Sequence, residues 1–348
     1  MAEITMSDTI EITDPKLQNI ATQILNTLKV ETEKAFASQA DAAYKLPADP
    51  NSVEQTMLTY FNKYPADKKV TVAKTALSMV TMPTAKRAAL YGNDLGGLDL
   101  KKAVTIDSQF KATATFNNLL LPANYLSSIN GNILGGNRIT GGGVIPPTPQ
   151  LVRDKLELRI HRVMCNDETD PEWWGDDSIA IAGIATNAAS ATSNPIGERF
   201  VGSFSDGRYR DYTPPMSLHI FNLRDGANTW PKYYSVALLL AEKDSGGFST
   251  IINRLFDQIR ARVDTYLRNI RGFWAQVAAV VWNVVKRLLD WIRNLFADDV
   301  FDPVIARIGI PSMEATWANG ATDGPELQAR FVGHGGTYTV TYDWRLFV

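Results

Sequence analysis

Six carboxylates, Asp167, Glu168, Asp170, Glu172, Asp176 and Asp177, crowd the stretch CNDETDPEWWGDDSIAIAG, the densest cluster of potential ligands in the sequence. Hard oxygen donors on a loop are what Ca²⁺ requires, so Asp167, Asp170, Asp176 and Asp177 are candidate calcium ligands. Their spacing matches no EF-hand, and the same residues suit a solvated acidic loop equally well. Trp173 and Trp174 within the stretch offer an aromatic platform or a packed strand edge. The three histidines, His161, His219 and His334, lie far apart in strand-like contexts, so only folding could gather them around a metal.

Covalent chemistry finds little support. A single cysteine, Cys165, excludes an internal disulfide framework and a cysteine-rich zinc site. No Gly-x-Ser-x-Gly elbow is present, and Gly141-Gly142-Gly143 runs into Val-Ile-Pro-Pro, where a phosphate loop needs lysine and a helix. No catalytic residue and no small-molecule substrate is identified, which points away from an enzyme. A net charge of −2 over 348 residues argues against nucleic acid as a partner.

The elements that must position these residues fall into three blocks. Residues 1–126 read as a helical region, a small bundle or loosely packed arm. Asp14-Pro15 caps a first helix, Ser52 with Gln55 opens a second, a third covers about Ala66 to Met82, and Thr84 caps a short fourth. Residues 127–150 are a Gly/Pro-rich linker. Residues 151–348 switch to a two-residue period: Leu156, Leu158 and Ile160 face one way, Glu157, Arg159 and His161 the other. Strand patterns follow at Ser178–Thr186, Glu198–Phe204, Met216–Leu223, Tyr233–Ala241, Val304–Ile310, Met313–Trp317, Glu326–Val332 and Thr337–Phe347. The fold class expected is α+β, an N-terminal helical region plus an antiparallel β-sandwich interrupted by a long helical hairpin at 249–297.

That insertion departs most from an ordinary soluble domain. Its first half keeps an apolar stripe with arginines opposite. Gly272 is a natural hinge, and Gly272 to Val285 carries no charge. From Asn253 to Phe296, eight arginines and lysines stand against three aspartates, a surplus of five positive charges that leaves the rest of the chain at −7. Such asymmetry calls for an anionic partner or an acidic cradle elsewhere in the fold. The uncharged run is shorter than the roughly 20 residues of a membrane span, so the choice lies between interfacial insertion, a protein partner and burial as core. Arg268, Arg271, Phe273, Trp274, Val277, Val281, Trp282 and Trp291 are the candidate contacts with a membrane surface or partner.

The runs LELRIHRVMCNDETDPEWWGDDSIAIAG, VALLLAEKDSGG, ADDVFDP and FVGHGGTYTVTYDWRLFV together resemble a largely uncharacterised bacterial family, over the C-terminal two-thirds of the chain. TAKRAALYGNDLGGLDL matches more loosely. The resemblance implies a helical N-terminal region joined to a β domain with an apolar helical insertion. Relatives are rich in glycine and alanine where this chain has FWAQVAAVVWNVV, which resembles a membrane-inserting hairpin. A second resemblance is to cargo or toxin proteins of bacterial contractile injection systems. The N-terminus has neither a basic nor an apolar signal region, so the expectation is a cytoplasmic protein in the producing cell, exported, if at all, without a Sec signal.

Two functional expectations result. One is a non-enzymatic, membrane-active or toxin-like effector that uses the basic apolar hairpin. The alternative is a structural or binding module in which the hairpin is core and an acidic loop or strand edge recognises a protein or Ca²⁺.

Overall fold

The computed structural model describes residues 4–7, 11–122, 125, 134–135, 139–140, 152–169, 177–187, 192–226, 228, 230–242, 248–267, 274–296, 301–317, 320–333 and 335–348. Local capping chemistry starts the first helices. Asp14 accepts the backbone N–H groups of Lys16 and Leu17 ahead of α1 (Pro15–Ala37), and the Ser52 hydroxyl accepts that of Gln55 ahead of α2 (Val53–Phe61). Helices α3 (Ala66–Val80) and α4 (Thr84–Tyr91) follow Pro65 and Pro83. Thr84 thus lies inside α4, after Pro83, and makes no cap. Three short helices come next: α5 (Asn93–Gly96), α6 (Ile106–Lys111) and α7 (Ala114–Leu119).

Helix α1 is the axis of a packed layer, where the sequence allowed a loose arm. Every residue from Val30 to Ala37 is buried, Glu31, Glu33 and Lys34 included. The inserted helices α8 (Phe248–Leu267) and α9 (Trp274–Phe296) complete the cover begun by α2 and α3, because both pack against α1 and against each other.

The strands form two main antiparallel sheets. The first contains β1 (Thr5–Ser7), β4 (Ile139–Thr140), β6 (Asp177–Asn187), β7 (Thr192–Phe204), β9 (Lys232–Glu242) and β10 (Val304–Ile310), in the order β4-β1-β10-β9-β6-β7. The second contains β5 (Lys155–Asp167), β8 (Tyr209–Asn222), β11 (Leu327–Gly333) and β12 (Gly336–Phe347), in the order β11-β12-β5-β8. A short pair joins β2 (Glu11–Ile12) to β3 (Leu134–Gly135).

The central strands β6 and β9 of the six-stranded sheet are buried on both faces, while its edge strand β7 is largely exposed. Ala182, Ile184, Ala237, Leu239 and Ile305 join the core of the helical layer, while Ile181, Val236, Leu238 and Ile308 join a second core shared with the four-stranded sheet. Contacts such as Phe221 to Tyr234, with ring centroids 4.9 Å apart, tie the two sheets together. Double burial explains the composition of β6 and β9, whose runs IAIAGIA and VALLLA are almost continuously apolar. One face of the four-stranded sheet is uncovered among the described residues, so β11 alternates buried with exposed residues and β12 buried with partly buried ones.

Several expected elements differ. Met313–Trp317 is a turn and not a strand: Pro311 ends the preceding run, and the Ala315 N–H bonds back to Ser312. Residues near the start of the chain belong to the sheet, since β1 pairs with both β10 and β4. Within 127–150, the described residues of β3 and β4 pair with β2 and β1. Such pairing brings the two ends of the helical region back to the body of the fold.

Because α8 and α9 share one core with α1, removing residues 1–126 strips the cover from their apolar faces. The truncated chain should bind a hydrophobic dye and lose a cooperative thermal transition in far-ultraviolet circular dichroism. A truncated chain that melts cooperatively with full helix content would show that α8 and α9 need no such cover.

Candidate functional site

Three places carry the residues singled out by the sequence. In the first, the inserted helices, Val281 is fully buried and Trp282 is 2 % exposed. The Trp282 ring lies 4.5 Å from that of Phe256 on α8. Trp291 is half-buried and sits beneath the Lys29 ammonium of α1 at 5.6 Å. Trp274 and Val277 open α9, while Arg268, Arg271 and Phe273 lie outside the described residues. Among the described residues no helix is long and apolar enough to cross a membrane.

A buried polar network fastens α8 to the N-terminal helices. Arg262 donates to Glu31 at 2.7 Å and stands 3.5 Å from Asp107. Glu31 also accepts the Asp107 backbone N–H, Glu54 accepts that of Ile106, and Lys34 donates to the carbonyls of Lys102 and Val104. Gln258 reaches the Asn51 carbonyl at 2.6 Å, and Arg287 on α9 reaches Thr22 at 3.3 Å. Burial pushes the Glu31 carboxyl up to about 8; Arg262 pulls against this, and Glu54 and Asp107 add to it. Arg262 holds its charge above the ordinary range because those carboxylates outweigh its burial. Glu33, buried and accepting from the Tyr91 hydroxyl at 2.5 Å, is pushed by burial up to about 7.

The second place is the base of the acidic stretch. Asp177 accepts the Thr169 hydroxyl on one oxygen, and the Thr169 N–H and the Tyr338 hydroxyl on the other, at 2.7 to 3.0 Å. It thereby closes the neck of the segment between β5 and β6. Burial, with hydrogen bonds to Cys165 and Asp177, pushes the Tyr338 phenol far up, and burial pushes the Cys165 thiol to about 11. Asp167 is exposed at the end of β5, and Asp170, Asp176, Trp173 and Trp174 lie outside the described residues. Among the described residues no group of three or more metal-ligating side chains is gathered.

The third place is the solvent face of the four-stranded sheet. The inward residues of β5 run Leu156, Leu158, Ile160 and then Val163, so the alternation slips by one residue. Both neighbouring ladders slip here: Ile160 pairs with Tyr342 and Arg162 with Thr341 on one side, Ile160 with Met216 and Arg162 with Asp211 on the other. His161 is left unpaired in both. A bulge re-aims side chains and recurs beside functional sites.

Around the slip lies a depression of about 360 Å³ lined by His161, Arg162, Asp211, Tyr212, Thr213, Glu326, Gln328 and Thr341. His161 Nδ1 stands 3.3 Å from Glu326, and Nε2 stands 3.2 Å from Asp343. Asp343 is 2 % exposed and grips Arg159 through two contacts. Arg162 makes a two-pronged bond to Asp211, at 2.5 and 3.1 Å, with its guanidinium 4.4 Å above the Tyr209 ring. Glu326 is set by a close crossing at Gly324, whose N–H bonds the Trp344 carbonyl at 2.8 Å and where an added Cβ would come within 2.8 Å of the Trp317 ring.

The alternation of β5 placed Glu157, Arg159 and His161 on one face, but the slip, Glu326 and Asp211 were not foreseen. Their only sequence signal is Thr213-Pro214-Pro215, a proline pair that interrupts a strand pattern. Of the other histidines, His219 packs edge-on against Phe221 at 4.5 Å, with its pKa lowered by burial and by Arg199, and His334 lies outside the described residues. No protein-family model, curated protein or solved structure matches this chain.

Two substitutions separate the buried network from the exposed one. Arg262→Met leaves Glu31 without its cation and should cost about 3–5 kcal/mol in chemical denaturation. Arg162→Gln, at a solvent-exposed pair, should leave the denaturation midpoint nearly unchanged. Equal losses would deny the network its structural role.

The pH response of Glu33 has a definite sign. Its folded pKa is raised from 4.5 to about 7, so its contribution is fully present in acid and is lost as pH rises through about 7. Melting temperatures of Glu33→Gln, measured against pH, should lack this fall; an unchanged profile would remove Glu33 as its source.

Proposed function

We propose that this chain is a binding module, in which the inserted helices are structural core and the polar face of the four-stranded sheet meets the ligand. The observation that carries this reading is the burial of the α9 seam. Val281, Trp282, Val284 and Leu288 are buried in the core that α9 shares with α1 and α8, so the folded protein offers little of that apolar surface to lipid. The charges beneath it oppose an acid trigger. Glu33, whose folded pKa is raised by burial, contributes most in acid, so its titration does not release the helical layer as pH falls. The free face of the four-stranded sheet, by contrast, carries oriented charges around a depression.

A membrane-active, toxin-like effector role rests on the basic, apolar pattern of residues 249–297 together with the sequence resemblance, and export by a contractile injection system on the resemblance alone. Calcium at the acidic stretch has Asp167 in its favour, while Asp177 already accepts three hydrogen bonds.

Vesicles with anionic lipid should leave tryptophan emission and trapped dye unchanged at neutral pH. Val281→Asp should unfold the helical layer, because it puts a charge without a partner into a packed seam. A blue shift with dye release from the wild-type protein, or a stably folded Val281→Asp, would overturn the reading of these helices as core.

A further inference from the structure

The charges of the depression do not cancel, and the imbalance identifies a ligand. Arg162 and Asp211 neutralise one another through two hydrogen bonds. Beneath them Arg159 is held by both Asp343 and Asp323. Glu326 remains. It is 62 % exposed at its side chain, and its only ion-pair partner among the described residues is His161, which is a cation only when protonated. The guanidinium groups of Arg159 and Arg162 are engaged by carboxylates, so neither offers an unclaimed fork to an anion. Thr213, Gln328 and Thr341, on the walls of the same depression, supply neutral oxygens that accept hydrogen bonds.

We propose that this depression binds the cationic head of an amine or guanidinium group, with Glu326 as its counter-charge. The proposal rests on the reading of this sheet face as the binding surface and names the chemistry it takes. A carboxylate without a permanent counter-charge beside several acceptors, with the Arg162 of the same lining already paired to Asp211, is complementary to a donor-rich positive group. It is not complementary to phosphate or to another carboxylate. The register slip at His161 builds the place: His161 and Arg162 both project outward, and Tyr212 to Pro215 of β8 stand opposite without ladder partners on β5. An uninterrupted ladder would fill this space with evenly spaced side chains. The group can belong to a small free amine or to a lysine or arginine side chain of a partner protein, and the recognising chemistry is the same.

The test uses the full chain with isotope-labelled histidine. The three histidines give few signals, and His161→Gln assigns the one in the depression. Capped lysine amide, capped arginine amide and 1,4-diaminobutane are titrated separately, with capped glutamate and a neutral polyol of similar size as controls. The cationic probes should shift the His161 ring signals saturably at millimolar concentration and leave His219 in place. Stronger binding of the capped amino acids assigns the site to a partner's basic side chain; stronger binding of the diamine assigns it to a free amine. Glu326→Gln should weaken either at least tenfold. Because Glu326 is exposed, that variant keeps its fold, and an unmoved His219 signal verifies it. Failure of every cationic probe to shift His161 overturns the proposal, as does an equal response in Glu326→Gln or a larger response to the polyol or to glutamate. None of these readings depends on the vesicle measurement, so the cation site can fail while the helices stand as core, and the reverse.

Discussion

The architecture depends on a sheet that cannot face water on either side. Strands β6 and β9 are apolar along nearly their whole length, so both faces of the six-stranded sheet need cover. The four-stranded sheet covers one face. The other requires a helical layer, and the chain assembles it from two places, the N-terminal helices and the segment between β9 and β10. An insertion between two paired neighbours is the shortest route to that face, because β9 and β10 lie side by side and both ends of the inserted segment start from the same edge of the layer. The apolar character of α9 matches its burial against α1 and α8 in the core of the helical layer.

Polar groups inside this layer fix its geometry. Apolar seams alone tolerate sliding and rotation, whereas Arg262 must meet Glu31 and Asp107, and Lys34 must reach two carbonyls in the segment before α6. Buried charges contribute little net stability when paired and cost several kcal/mol when separated. Their effect is to penalise every other register of α8 on α1. The charge surplus of the insertion is answered in part here. Its Arg262 is matched by carboxylates of the N-terminal helices, so an acidic cradle does exist, and it is internal.

What the sequence disclosed and what it concealed divide along the range of the interactions. Asp14 with Pro15, and Ser52 with Gln55, act within one helical turn, and the starts of α1 and α2 were legible from them. The alternation in β5 was legible too, because a half-exposed strand writes its two faces into neighbouring residues. Burial of α1 between Val30 and Ala37 was not legible, since the cover begun by α2 and α3 is completed by α8 and α9, more than 200 residues away in sequence. Glu31, Glu33 and Lys34 read as an ordinary solvated stretch until Arg262 and Tyr91 are brought to them. The depression was illegible for the same reason: His161, Asp211 and Glu326 come from three distant segments, and a one-residue slip leaves no mark in composition. Met313–Trp317 misled because alternation within five residues can also arise in a turn whose tryptophan folds inward, and Trp317 is buried against the crossing at Gly324.

The division of labour between the two sheets then accounts for where recognition can occur. The central strands β6 and β9, buried on both faces, have few side chains to spare for a ligand, and their residues answer mainly to packing. The four-stranded sheet spends one face on the shared core, which frees alternate positions of β5, β11 and β12 to carry charge without disturbing the interior. Charge placed there would ordinarily pair off along the strands, as Arg162 and Asp211 do across β5 and β8. The register slip at His161 breaks that regular pairing, because two outward residues of β5 face one of β12, and β8 bends away on the other side. Glu326 enters from the segment that crosses Trp317 and is not held in a strand pair. An unmatched carboxylate therefore arises where the ladder fails, on the sheet whose outer face packs against nothing else among the described residues.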